Sequence, residues 1–269
     1  FIAMLLSLLL FVYNAEAMSG QFVGAMCATG VLNLNAWGWP TLFLKITVFF
    51  GGAVWLALNR IDNQGYDYPL VRVKYAVLLV LLPLVLAEFV LQLLFFTDVE
   101  PDIITSCCGA LFSPNSEGIA AEVSALSPEA ALLGLVVSAL AVLGGGILYA
   151  RHARAGSLFA VLSLFAFGMA LVGIVSLISL YVYEHPHHHC PFCLLKAGHG
   201  FVGYWLYIPL FAATALALSA AAIGRWRHVP SLADTIVRER TRYSWLAIAL
   251  FAVFYMTAAA LVATSNLTM

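Results

Sequence analysis

Charged side chains are scarce in this sequence: they make up 9% of its 269 residues, against about 25% in a soluble domain. Hydrophobic residues make up 63%. This balance excludes an ordinary soluble globule. The sequence also has no basic patch, so nothing points to nucleic acid, and it has no nucleotide-binding motif or internal repeat that would favour a transporter.

Apolar stretches close to the roughly 20 residues that cross a bilayer recur along the whole chain. Lipid offers no hydrogen-bond partners to the backbone, so these stretches must be helices. We therefore expect one all-α, polytopic membrane domain over residues 1–269, with about seven transmembrane helices. The predicted spans cover residues 1–13, 41–58, 75–96, 130–150, 157–183, 201–224 and 244–263.

Ten of the twelve basic residues fall in alternate connections, which the positive-inside rule assigns to the cytoplasm. These cytoplasmic loops cover about residues 59–74, 151–156 and 225–243. The extracytoplasmic loops then cover about residues 14–40, 97–129 and 184–200. They hold all five cysteines, in a compartment that permits disulfides. The N-terminus is predicted to be cytoplasmic and the C-terminus extracytoplasmic.

The first span has features of a signal peptide. Residues 5–13 are an apolar run, and Ala15-Glu16-Ala17 resembles a cleavage site. Retention as a first helix is the favoured interpretation and cleavage is the alternative. Both place Ser19 and the residues after it outside the cytoplasm.

The sharpest motif is the C-x-x-C formed by Cys190 and Cys193, which leads into the sixth apolar span. A helix N-terminus and neighbouring imidazolium groups both lower a thiol pKa. We therefore expect Cys190 to be the nucleophile and Cys193 its resolving partner. The alternative is a structural disulfide or two inert thiols.

The same segment offers a metal site for copper or zinc, because histidine and cysteine are the ligands that these ions prefer. Consecutive histidines cannot all face one ion, and a solvated histidine loop is the alternative. No histidine directly follows Cys193, so no covalent haem is expected. The candidate ligands are His187, His188, His189, His199, Cys190 and Cys193.

A second cysteine pair, Cys107 and Cys108, lies in the acidic third connection. Adjacent cysteines close only a strained ring, so a disulfide between them would be readily reduced, and pairing elsewhere is an equal alternative. Cys27 is left over. It is free, pairs with Cys107 or Cys108, or joins Met26 as a soft metal ligand.

Glu88 stands inside the third span, with Gln92 four residues later on the same helix face. A carboxylate in the bilayer is costly, which makes Glu88 a candidate for a proton route and Gln92 for a polar cofactor pocket. A structural hydrogen bond to another helix is the alternative for Glu88. Lys45, near the outer end of the second span, can extend its ammonium group toward the interface and needs no special role.

The C-x-x-C at the outer end of a span, with a second cysteine pair in another outer loop, resembles DsbB-type and vitamin K epoxide reductase-like thiol:quinone oxidoreductases. In those families the membrane-proximal pair passes electrons to a quinone, and the loop pair exchanges disulfides with a thioredoxin-like protein. The resemblance implies that Cys190 and Cys193 are the first pair and Cys107 and Cys108 the second. Lys196 stands where the DsbB-type motif has arginine, which makes it a candidate cofactor-binding residue.

Three functions stay open at this point. The first is a thiol-disulfide oxidoreductase in the cytoplasmic membrane of a prokaryote, with a quinone and an extracytoplasmic thioredoxin-like partner, as the resemblance implies. The second is a metal-binding or cofactor-bearing subunit of a larger redox complex. The third is a structural subunit whose outer loops are joined by disulfides.

Overall fold

The computed structural model describes residues 1–100, 102, 104–105, 123, 126–186 and 188–267. The secondary structure of these residues is helical, with no strand among them. The helices are α1 (Ile2–Met18), α2 (Ala28–Leu32), α3 (Gly38–Asp62), α4 (Val71–Thr97), α5 (Pro128–His152), α6 (Gly156–Gly173), α7 (Ser179–Tyr183), α8 (Val202–Gly224) and α9 (Ala233–Thr264).

Seven helical segments in the described chain are long and apolar enough to cross a membrane, which confirms the predicted all-α membrane bundle. The sixth of the predicted connections is shorter than expected, because α9 already begins at Ala233. The fifth span joins α6 to α7 through a π-helical turn, Ile174–Ile178. Such turns leave the regular hydrogen-bond ladder and are frequent at functional sites.

The long helices pack as two groups. In one group α1 and α4 both pack on α3, and in the other α5, α6, α8 and α9 pack on one another. Helices α3 and α8 join the groups. Four phenylalanines fill this join: the Phe50 and Phe211 rings stack 5.7 Å apart, and Phe167 meets both edge-on at 5.0 Å, with Phe49 beside Phe211. We call this join the seam.

The two ends of the bundle differ in chemistry. Connections 19–37 and 184–201 lie at one end and hold all the cysteines that the structure describes. Connections 63–70, 153–155 and 225–232 lie at the opposite end, where Arg227 donates to the carbonyl oxygen of Ala153 (2.7 Å). Which end faces the cytoplasm stays a prediction from the charge pattern.

Lys45 does not extend to the interface, so that interpretation is wrong. The side chain is 2% exposed and forms an ion pair with Glu88 of α4, which is also buried. Its ammonium group also donates to the Ser7 hydroxyl of α1 (2.6 Å) and lies 5.3 Å from the centre of the Phe11 ring. Three helices thus share one buried charge pair, because neither charge has water to solvate it at this depth.

We predict that breaking this pair from one side destabilises the protein more than removing it. Lys45→Met or Glu88→Gln leaves one buried charge without its partner, which costs about 3–5 kcal/mol. The double variant Lys45→Met/Glu88→Met should recover most of that loss. Thermal unfolding in detergent measures both effects, and single variants as stable as the parent would contradict the prediction.

Candidate functional site

Three thiols meet at the cysteine end of the bundle. Cys27 directly precedes α2, while Cys190 and Cys193 lie in the connection between α7 and α8. The Cys27 and Cys190 sulfurs are 3.1 Å apart, and all three sulfurs lie within 4.8 Å of one another. All three side chains are buried. We call this group the thiol cluster. Its cysteines come from both helix groups, which meet at the seam.

The loop that carries Cys27 folds tightly because of one glycine. Gly24 adopts φ +89°, and a Cβ there would lie 1.9 Å from the carbonyl oxygen of Thr105. Thr105 donates its backbone N–H to Val23 O (3.0 Å) and its hydroxyl to Gly30 O (2.9 Å). The third connection is therefore anchored against the Cys27 loop, two residues before the Cys107-Cys108 pair in sequence.

The C-x-x-C does not begin a transmembrane helix, which corrects the expectation from sequence. Cys193 opens a single 3-10 turn, Cys193–Leu195, and α8 begins only at Val202. Gly200, at φ +63°, separates the two. The N-terminus of α8, where its macrodipole is positive, is therefore at Val202, nine residues beyond Cys193 in the sequence, and not at the C-x-x-C itself.

Tyrosine hydroxyls hold the C-x-x-C backbone in place. Tyr183 donates to Cys190 O (2.6 Å) and Tyr207 donates to Pro191 O (2.9 Å). Thr29 brings its hydroxyl to 3.3 Å from the Cys190 sulfur. The backbone around Cys190 is thus fixed from α7 and α8, while its sulfur faces α2.

An ion pair ties the two cysteine segments together. Lys196 lies 3.0 Å from one carboxylate oxygen of Glu16 and also donates to Met26 O. The other Glu16 oxygen accepts from Ala28 N (2.8 Å). The residues on both sides of Cys27 are therefore held by the same pair. We call it the Glu16–Lys196 clamp.

Hydrogen bonds with Cys190 and then with Cys27, together with burial, raise the pKa of the Cys193 thiol well above its ordinary value. Burial alone would lower the pKa of Lys196, but the hydrogen bond and charge of Glu16 and the nearby thiols raise it above its usual value. Lys196 therefore stays cationic beside the thiol cluster, and Cys193 stays protonated at neutral pH.

The histidines lie beside the thiol cluster. The His188 ring stacks on Tyr183 with centroids 4.0 Å apart, and His199 meets Tyr183 edge-on at 4.6 Å. His189 donates from Nδ1 to Val175 O in the π turn (3.0 Å). Burial, and then the charge of His188 and Lys196, lower the pKa of His199, so that its ring is neutral at pH 7. A neutral ring supplies no cationic field to a thiol.

Within the described residues, the one set of three or more close metal donors is the thiol cluster, without a histidine. The predicted histidine ligands therefore stay a prediction, and His187 lies outside the described residues. Cys107 and Cys108 also lie outside them.

Glu88 contacts another helix, as its structural alternative predicted, but does so through an ion pair with Lys45. Gln92, one turn further along α4, is half-buried.

Sequence reasoning missed the contact between Cys27 and Cys190 and the role of Glu16. The sequence held one indication of this ion pair, because charged residues are scarce and Glu16 and Lys196 are the ones nearest to these two cysteine segments.

The chain matches no family model, and neither the curated proteins nor the solved structures contain a significant match. The site must therefore be interpreted from its own geometry.

We predict that the clamp controls how fast Cys27 and Cys190 join. Lys196→Met removes the ion pair and the bond to Met26 O, so that the Cys27 loop is less well held. Oxidative formation of the Cys27–Cys190 disulfide should slow roughly tenfold, as expected for one charge-assisted hydrogen bond of about 1.5 kcal/mol. Peptide mapping after timed oxidation measures the rate. Lys196→Arg should retain it, and Arg72→Met, an exposed position at the opposite end of the bundle, is the matched control.

We also predict an unusual pH profile for Cys193. Because its pKa is raised, the reactive thiolate is scarce at neutral pH, and alkylation of Cys193 by iodoacetamide should still accelerate above pH 9. An ordinary thiol with a pKa of about 8.5 levels off there. Mass spectrometry of the Cys193 peptide gives the rate, with N-acetylcysteine as the standard. A plateau below pH 8 would refute the raised pKa.

Proposed function

We propose that this protein is a membrane thiol-disulfide oxidoreductase whose centre is the thiol cluster. The observation that carries the proposal is the 3.1 Å separation of the Cys27 and Cys190 sulfurs. Reacting atoms held about 3–3.5 Å apart are in a near-attack arrangement, which removes most of the entropic cost of bringing them together. The C-x-x-C thus has a third thiol within reach, supplied by a different helix group.

The exchange step conserves atoms and electrons. The Cys27 thiolate attacks the Cys190 sulfur of a Cys190–Cys193 disulfide, so that the Cys27–Cys190 bond forms and the Cys190–Cys193 bond breaks. The Cys193 sulfur leaves as a thiolate and takes up a proton, as its raised pKa favours. Lys196, which stays cationic beside the cluster, stabilises the negative charge while it moves between sulfurs.

The net reaction needs a donor and an acceptor. A dithiol on an extracytoplasmic partner protein is oxidised to a disulfide and loses two electrons and two protons. Cys107 and Cys108 would pass these electrons to the cluster, and Thr105, just before them, is anchored against the Cys27 loop. A quinone, when bound, supplies the two-electron, two-proton acceptor.

Aromatic and cationic side chains beside the cluster support a quinone as this acceptor. Phe192, between the two C-x-x-C cysteines, lies 6.2 Å from Trp39, which offers aromatic faces next to the thiols. Lys196 offers a cationic hydrogen-bond donor on the same side of the molecule. Glu88 is less suited to receive protons than the sequence suggested, because its carboxylate is already paired with Lys45.

The cellular location follows from the charge pattern. The described cysteines lie at the end opposite the arginine-bearing connections. The positive-inside rule supports an extracytoplasmic position for the thiol cluster, and we propose that the membrane is the cytoplasmic membrane of a prokaryote. Disulfide chemistry is compatible with that side and not with a reducing cytosol.

The test is quinone-dependent disulfide formation in the full-length protein. The protein is reduced, placed in lipid nanodiscs without oxygen and mixed with ubiquinone-1, while hydroquinone is followed by absorbance and the cysteines are mapped by mass spectrometry. We expect one hydroquinone per disulfide. Cys190→Ser should abolish the reaction because Cys190 is shared by both disulfides, whereas His188→Ala and His199→Ala should retain it.

Two results would overturn this function. The first is a cysteine pair that resists mild reductant and does not respond to quinone, which would favour a structural disulfide. The second is quinone reduction that persists in Cys190→Ser, which would place the chemistry elsewhere.

A further inference from the structure

We infer that the thiol cluster, when all three cysteines are reduced, binds one Cu⁺ ion. This inference goes beyond the proposed oxidoreductase and does not need it, because it requires reduced thiols and no quinone or partner. It also differs from the histidine-rich metal site that the sequence suggested.

The geometry suits a three-coordinate ion. Metal–thiolate bonds of about 2.3 Å arranged in a plane place the sulfurs about 4.0 Å apart. The three sulfurs of the cluster lie within 4.8 Å of one another, and the Cys27 and Cys190 sulfurs are 3.1 Å apart. To reach the trigonal arrangement the Cys27–Cys190 separation must grow by about 0.9 Å, and no separation must shrink by more than about 0.8 Å.

The donor set favours copper over zinc. Thiolates are soft ligands that select Cu⁺, zinc and iron–sulfur clusters. Zinc in structural sites is almost always four-coordinate, whereas the cluster supplies three donors from the described residues. The sulfurs also belong to a buried apolar cluster with Phe22, Leu34 and Phe95, which suits a soft ion and excludes water.

The residues around the thiol cluster can stabilise the negative charge of a Cu⁺–thiolate complex. Three thiolates and one Cu⁺ sum to two negative charges, and the Lys196 ammonium group lies beside them in the clamp. The Thr29 hydroxyl, 3.3 Å from the Cys190 sulfur, can donate to that thiolate. Since the thiols are protonated before the metal arrives, binding must release protons. Affinity should therefore rise with pH.

The experiment uses the reduced full-length protein in detergent without oxygen. Cu⁺ is added in competition with bathocuproine disulfonate, and the bound metal is counted by elemental analysis. We expect one Cu⁺ per chain, tighter at pH 8 than at pH 6.5. X-ray absorption at the copper edge should show three sulfur neighbours and no nitrogen. The X-ray absorption measurement needs no variant, so it tests the inference even if a cysteine substitution prevents folding.

The variants assign the ligands. Cys27→Ser and Cys193→Ser should each weaken binding by more than about 100-fold, because losing a ligand costs more than the 10- to 100-fold of losing a residue that only supports one. Met26→Leu and His189→Ala are the matched controls and should bind as the parent does, since Met26 is 75% exposed and His189 Nδ1 already donates to Val175 O.

Four results would overturn the inference: no Cu⁺ retained against the competitor, nitrogen in the copper shell, binding unaffected by Cys27→Ser, or a preference for Zn²⁺ with four ligands. Its failure is separable from failure of the proposed function. Quinone-dependent disulfide formation without copper binding would leave the oxidoreductase standing, and copper binding without quinone reactivity would leave only the metal site.

Discussion

The absence of water around the spans governs this structure, because each polar group there must find its partner within the protein. Serine and threonine hydroxyls return to carbonyls of their own helix, as Ser163 does to Phe159 O (2.7 Å). Lys45 and Glu88 neutralise each other between two helices. Reactive groups that need a partner or solvent are therefore confined to the ends of the bundle, and the thiol cluster lies at one of them.

The thiol cluster depends on the seam more than on any single loop. Cys27 reaches it from the group built on α3, and the C-x-x-C reaches it from the group that contains α7 and α8. The phenylalanine packing around Phe50 and Phe211 sets the distance between the groups, and the Glu16–Lys196 clamp fixes the last few ångströms. Helix packing and the ion pair thus both determine the distance between the Cys27 and Cys190 sulfurs.

The spans were predictable because hydropathy is a local property that a window of about 20 residues contains. The contact between Cys27 and Cys190 was not, since it joins residues 163 positions apart and follows from helix packing. The C-x-x-C was expected at a helix N-terminus, but eight residues, among them Gly200 in a left-handed conformation, separate Cys193 from α8. Lys45 was misjudged since its partner, Glu88, belongs to the next span.

The position of Cys190 between two possible partners has a mechanical consequence. A bond from Cys190 to Cys193 closes a loop of four residues and leaves the helix groups joined at this end by packing and by the Glu16–Lys196 clamp. A bond from Cys190 to Cys27 closes a loop of more than 160 residues and links the groups covalently, and longer closed loops restrict the unfolded chain more. The choice between these two disulfides therefore determines whether a covalent bond joins the two helix groups at the cysteine end of the bundle.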